Sequence, residues 1–336
     1  MIKSKALLGM LILILTAFLS SGCSLQKESK SEKKDVKTAR IVGYLSTDNF
    51  DKMKLIQFKK VTHLNLAFAN PDKTGKLYFP GDIDKLVKYV RGENPNIKIS
   101  ISIAGGIITK QQSEDWSYLI DNSQNRPLII NSLIKFIKQH QLDGVDVDLE
   151  WDAVTAGYSD FILELHKQTK PLNLLLTSAL PNLTRFNYIT DQALNAFDFI
   201  NIMAYDMTGP WNANKKGAHS SYQDTLLGVD FWTIKNNLPA DKIILGVPFY
   251  GYNFGTLPVT SFAYGDIVKL GNEYAELDQK EESYYNGRNT IRRKVDLASQ
   301  RCGGIMIWEL SQDSFSEYSL LNVIAEQYKS LGYNIN

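Results

Sequence analysis

The chain has 336 residues, 44% of them hydrophobic, and a formal net charge of +1. That length suits one large domain or two medium ones, and a charge so close to zero removes the electrostatic case for a nucleic-acid partner. With two cysteines, and with His63, His140, His166 and His219 in no ligand spacing, neither a disulfide framework nor a zinc site is expected.

The N-terminus reads as a leader. Lys3 and Lys5 precede an apolar stretch from Ala6 to Leu19, followed by the small residues Ser20-Ser21-Gly22 and then Cys23. The stretch is shorter than the roughly 20 apolar residues of a membrane span and has the layout of a secretory signal. It resembles a bacterial lipoprotein signal, with Ser20 three positions before the cysteine and Leu19 one step earlier. The resemblance implies a signal over 1–22, lipidation at Cys23, and an exported cell-envelope protein with its main domain outside the cytoplasm. Residues 23–38, rich in Lys, Glu and Ser, read as a solvated tether. The folded domain is expected over 39–334. With Cys23 lipidated, Cys302 has no partner and reads as a small buried hydrophobe.

From Arg40 onward, short apolar runs alternate with amphipathic stretches. Strands are expected at 41–45, 63–69, 97–103, 143–150, 174–178, 199–204, 243–247 and 304–308. Helices are expected at 52–60, from an Asp82 cap to about Val90, from Pro127 to His140, and near 158–168. Further helices are expected from Asp191, at 226–237 before Pro239, at 290–300 and at 320–330. A polar, Tyr-rich segment, 251–287, separates the seventh strand from the eighth. Eight β-α units in this length fit a closed parallel (β/α)8 TIM barrel as a single domain. An open doubly wound sheet would want a glycine-rich turn after its first strand, and Leu45-Ser46-Thr47 has none.

The fourth strand, Asp143-Gly144-Val145-Asp146-Val147-Asp148-Leu149-Glu150, carries the chemistry. Its period of two puts Asp146, Asp148 and Glu150 on one face, roughly 6.5 Å apart in succession. Burying an unpaired carboxylate costs several kcal/mol, so three in an otherwise apolar strand point to chemistry, metal binding or mutual hydrogen bonding. Oxygen ligands would suit Mg²⁺ or Ca²⁺. The other strand ends, however, supply aromatics: Tyr44, Phe68, Tyr205, Trp211, Tyr250 and Trp308. These suit the apolar faces of sugar rings, so no metal or cofactor is expected and glycoside hydrolysis is the leading reading.

Two enzyme carboxylates in a retaining glycosidase sit about 5–5.5 Å apart on opposite sides of the sugar. Asp148 and Glu150 share one face of one strand, so neither readily opposes the other. If Glu150 protonates the leaving oxygen, a 2-acetamido group on the substrate is a good nucleophile, a documented exception to the two-carboxylate rule. Asp148 would orient that group, and Asp146 could share a proton with Asp148.

At this point the residues resemble a known family. Asp143-x-x-Asp146-x-Asp148-x-Glu150 is similar to the signature of glycoside hydrolase family 18, the chitinase and endo-β-N-acetylglucosaminidase family. Ser102-Ile103-Ala104-Gly105-Gly106 resembles its third-strand motif, and Met203-Ala204-Tyr205-Asp206, continued through Gly209-Pro210-Trp211, its sixth. Gly246-Val247-Pro248-Phe249-Tyr250-Gly251 and Gly304-Ile305-Met306-Ile307-Trp308-Glu309-Leu310 resemble the seventh and eighth strands. The resemblance implies Glu150 as general acid/base, Asp148 as the acetamide-orienting group with Asp146 behind it, and Tyr205 as a donor to the acetamide carbonyl. Trp308 would form the floor under the reacting sugar. Tyr44, Phe68, Gly106, Met203, Asp206, Trp211 and Tyr250 would line the substrate site. Leu149 stands where many members carry Trp or Tyr, and Trp151 follows the glutamate.

The expected substrate is β-1,4-linked N-acetylglucosamine, as chitin or chitooligosaccharide. Cleavage in the N-glycan chitobiose core, cell-wall glycan cleavage, and a non-catalytic chitooligosaccharide-binding role are the alternatives. A monomer is expected. The 251–287 segment is short for the α+β insertion that deepens the cleft in one branch of the family, so no large insertion, a shallow open groove and endo action are expected.

Overall fold

A computed structural model describes residues 37–335. The leader, Cys23 and most of the tether lie outside these described residues. The tether's expected last two residues, Lys37 and Thr38, pair in parallel with Tyr333 and Asn334, so the folded chain begins earlier than position 39.

Eight parallel strands form the barrel: β1 (Arg40–Ser46), β2 (His63–Pro71), β3 (Lys98–Ala104), β4 (Gly144–Asp148), β5 (Leu175–Pro181), β6 (Phe199–Met203), β7 (Ile243–Pro248) and β8 (Gly304–Trp308). Each pairs with its sequence neighbours, and β8 pairs with β1 to close the ring. The period of two divides each strand between two environments. In β4, Val145 and Val147, with Leu149 just beyond, are fully buried in the layer shared with the surrounding helices, while Asp146 and Asp148 take the other face. The lumen holds a separate cluster that includes Val42, Tyr44, Tyr205, Ile244 and Met306. Each buried Val, Leu or Ile stabilises by about 1.5–3 kcal/mol, which pins the register and keeps both aspartates inside.

The expected Asp82 cap is present: its side chain accepts from the Lys85 amide at the start of helix Ile83–Glu93. Two expectations change. The stretch expected as a helix over 52–60 is two 3₁₀ segments, Thr47–Leu55 and Phe58–Lys60, since only Ile56 and Phe58 of it are buried and no apolar stripe supports an α-helix. The helix expected from 226 starts at Tyr222, because the Ser221 side chain accepts from the Asp224 amide as an N-cap.

Between β7 and β8 the chain has no large insertion, yet it is not an irregular loop. Four short antiparallel strands, Tyr250–Asn253, Thr260–Ala263, Gln279–Lys280 and Ser283–Tyr284, form a small sheet accompanied by a short helix, Tyr264–Val268.

Candidate active site

Register assembles the site. Across β3, β4 and β5, Asp146 stands opposite Ser102 on one side and Thr177 on the other. Both hydroxyls donate to it, at 2.8 and 2.6 Å, joined by the Tyr44 hydroxyl at 2.7 Å and the Asn201 amide at 3.2 Å. These four donors, from β3, β5, β1 and β6, occupy both oxygens of Asp146. Burial raises its carboxyl above the ordinary range, and the four donated bonds offset part of that rise. The proton-sharing expected with Asp148 therefore has no free oxygen on Asp146 to use.

Asp148 has the opposite environment. It is 3% exposed, and its Oδ1 is buried without a hydrogen-bond partner. Burial, then the charges of Glu150 and Asp146, push its carboxyl well above the ordinary range. Glu150 follows the end of β4, where burial and then the Asp206 charge raise it to about 7.

Gly105 and Gly106, just after β3, leave space that a side chain would fill. A Cβ on Gly106 would lie 2.7 Å from Glu150 Oε1, and one on Gly105, at φ +94°, would lie 2.7 Å from the Phe68 ring. Since a carboxylate tip moves easily, Gly106→Ala is expected to leave thermal stability intact and to displace Glu150. A fall in kcat of about tenfold at unchanged melting temperature is the expected result; wild-type kcat would show that the acid tolerates the shift.

The aromatics form a layered wall. Trp308, partly exposed at the end of β8, stacks on Phe68 with centroids 5.6 Å apart and planes 20° apart, and meets Tyr44 at 5.5 Å. Tyr44 is only 1% exposed, so it backs Trp308 and holds Asp146 from beneath. Tyr205 is buried, and its hydroxyl reaches only the Met306 sulfur, at 3.9 Å, a weak acceptor that leaves the O–H available. Met203 is partly buried at the end of β6 and packs against the same cluster.

Asp206 is held from behind. Its Oδ1 accepts from Tyr250 at 2.5 Å and Tyr252 at 3.0 Å, with His219 Nδ1 at 3.4 Å. Tyr250 is thus a support for Asp206 rather than an open face. Trp211, 60% exposed, sits edge-on to Tyr252 on the rim.

All twelve residues expected at this site lie around the one mouth. Four supports were missed as such: Thr177, Asn201, His219 and Tyr252. Thr177 and Asn201 were legible only through strand register, since each lies on an inward position of its strand. His219 had no signal in the sequence beyond being a histidine. Trp151, directly after Glu150, adopts φ +47°, is 59% exposed and sits edge-on to Phe186. A bulky residue at positive φ is rare, and such positions cluster at active sites.

Known proteins share this arrangement. The profile described as glycosyl hydrolases family 18 matches residues 40–313. The chain is similar to the chitinase ChiB from the chitin utilization locus of Flavobacterium johnsoniae, with 59% identity and a TM-score of 0.88, covering 89% of this chain and 96% of that one. A chitinase from Bacteroides thetaiotaomicron is 29% identical, with a TM-score of 0.78 over 89% of this chain and 99% of its own. The chitinase-like effector of Moniliophthora roreri is 29% identical over 70% of this chain and 63% of that protein, so the chain spans under two thirds of that relative.

Proposed function

The chain belongs to glycosyl hydrolase family 18 and is a glycosidase, and from that premise we propose that it hydrolyses β-1,4-linked N-acetylglucosamine with retention, using the substrate's own acetamide as nucleophile. The observation that carries the proposal is the contrast between adjacent carboxyls. Asp146 is saturated with donors, whereas Asp148 presents a buried oxygen with no partner beside Glu150, which burial and then the Asp206 charge raise to about 7.

In this reading the donor sugar lies on Trp308. Its acetamide N–H donates to the free oxygen of Asp148, and the Tyr205 hydroxyl donates to the acetamide carbonyl. Glu150 passes its proton to the bridging oxygen as the carbonyl oxygen attacks C1 from the opposite face, and the C1–O bond to the leaving sugar breaks. A donated N–H favours the charged form of Asp148, which then faces the positive charge developing on the cyclised acetamide. Glu150, now a carboxylate, takes a proton from the water that opens the ring. Asp206 is the other carboxylate near Glu150, and the bonds from Tyr250 and Tyr252 to its Oδ1 argue against a role as nucleophile.

The 59% identical relative is a chitinase from a chitin utilization locus, which supports chitin-derived oligosaccharides over N-glycans. Incubation with defined chitooligosaccharides, followed by NMR of the first product, is expected to show the β anomer. Inverted product, or equal turnover of cello-oligomers, which have no acetamide, would overturn the proposal.

A further inference from the structure

Behind the mouth, outside the machinery described so far, lies a buried cation. Lys294, on helix Arg288–Arg301, has no exposed surface. Its Nζ donates to the Ser220 carbonyl at 2.8 Å, to Ser220 Oγ at 2.7 Å and to Asn286 Oδ1 at 2.8 Å. All three act as acceptors there. Ser220 Oγ spends its own proton on the Ala204 carbonyl at 2.6 Å, and the Asn286 amide donates to the carbonyls of Ser220 and Tyr285. A neutral amine has two N–H groups and an ammonium has three, so three acceptors match the charged form. Burial opposes that charge and brings the amine down to about 7, while Asp278 and Asp224 act in the other direction.

Such a group is costly to bury, and its place in the chain suggests what it does. The segment carrying Asp206 and Trp211 leaves the barrel after Ala204 and returns at Ser220. Its two ends are tied by the Met207 amide donating to the His219 carbonyl, at 2.9 Å. Lys294 grips Ser220 directly, and through Ser220 Oγ it reaches Ala204, the residue before Tyr205. Asn286 ties the same point to the end of the small sheet inserted after β7. One side chain thus holds both roots of the segment that presents Tyr205 and Asp206.

We propose that Lys294 is a positioning residue for hydrolysis, clamping Ser220 so that Tyr205 and Asp206 stand at the distances the reaction needs. This rests on the roles given above to Tyr205 and Asp206. Lys294→Met keeps much of the side-chain volume but withdraws the donor from Asn286 Oδ1, and removing one partner of a buried charged contact is destabilising, so a purely structural lysine predicts lost stability with little kinetic change in the protein that remains folded. The clamp predicts that kcat on chitooligosaccharides falls about tenfold or more, with KM changed less than about twofold, measured at a temperature where the variant is fully folded. Ser220→Ala, which removes the Oγ that links Lys294 to Ala204 and leaves the bond from Lys294 to the Ser220 carbonyl, tests the same clamp should the methionine variant fold poorly, and is expected to lower kcat in the same way. In the double variant the losses should not add, because both act through one contact.

A kcat within twofold of wild type in both folded variants, or additive losses in the double variant, would overturn the clamp. Wild-type turnover of chitooligosaccharides that is lost in Glu150→Gln serves as the control. If that control fails, the proposed reaction is at fault; if it holds, a failure belongs to Lys294 alone.

Discussion

Glu150→Gln is expected to lower kcat on chitooligosaccharides by about 10³-fold, within the range that general acid catalysis supplies, while the barrel stays folded. Glutamine keeps the shape beside Gly106 and removes the proton that the proposed mechanism delivers to the bridging oxygen. In the wild-type enzyme, burial and the Asp206 charge raise Glu150 to about 7, so the acid form is present below that pH. Since deprotonation removes the acid, kcat/KM should fall as pH rises through about 7. The same shift has a stability counterpart. A carboxyl whose native pKa lies above its ordinary 4.5 binds more protons folded than unfolded, so its contribution to stability is complete at low pH. That contribution is lost as pH climbs from about 4.5 to about 7, and Glu150→Gln should flatten this part of the curve of stability against pH. A glutamine variant keeping a tenth of wild-type activity would exclude Glu150 as the acid.

Asp148→Asn is expected to lower kcat by about 10²-fold with little change in KM, the scale of losing one preorganised electrostatic partner. The asparagine carbonyl can still accept the acetamide N–H, so orientation survives. What is lost is the negative charge facing the cyclised acetamide. Burial and then the Asp206 charge are what raise Glu150 to about 7, and Asp148→Asn alters neither. The alkaline limb of the variant should therefore stay near 7. Unchanged kcat would remove Asp148 from the reaction, and a limb displaced by a full unit would mean that the Asp148 carboxyl also sets the Glu150 pKa.

These two variants bear on what the chain alone discloses. Val145, Val147 and Leu149 alternate with Asp146, Asp148 and Glu150, and that alternation is enough to place the carboxylates on one face. Apolar runs of five to seven residues were likewise enough to locate the other seven barrel strands, because burial on both faces leaves little freedom in composition. The region between β7 and β8 was harder. Its strands are two to four residues long, too short for a period to declare itself against loop composition. The 3₁₀ segments after β1 were misread for a related reason: charged residues permit a helix locally, but no apolar stripe was available to hold one against the barrel.

By itself, then, the order of residues determined the barrel, the strand that carries the candidate acid, and the two candidate carboxyls, since each follows from local periodicity. Which carboxyl is held by donors and which is left open was decided only in three dimensions. The donors on Asp146 come from residues 31 to 102 positions away in the chain, and no local pattern records which of them will meet. Asp146 and Asp148 are the same residue type two positions apart in one strand. Their different chemistry comes from the side chains that neighbouring strands place around them, because hydrogen bonds and charge act through space and not along the backbone.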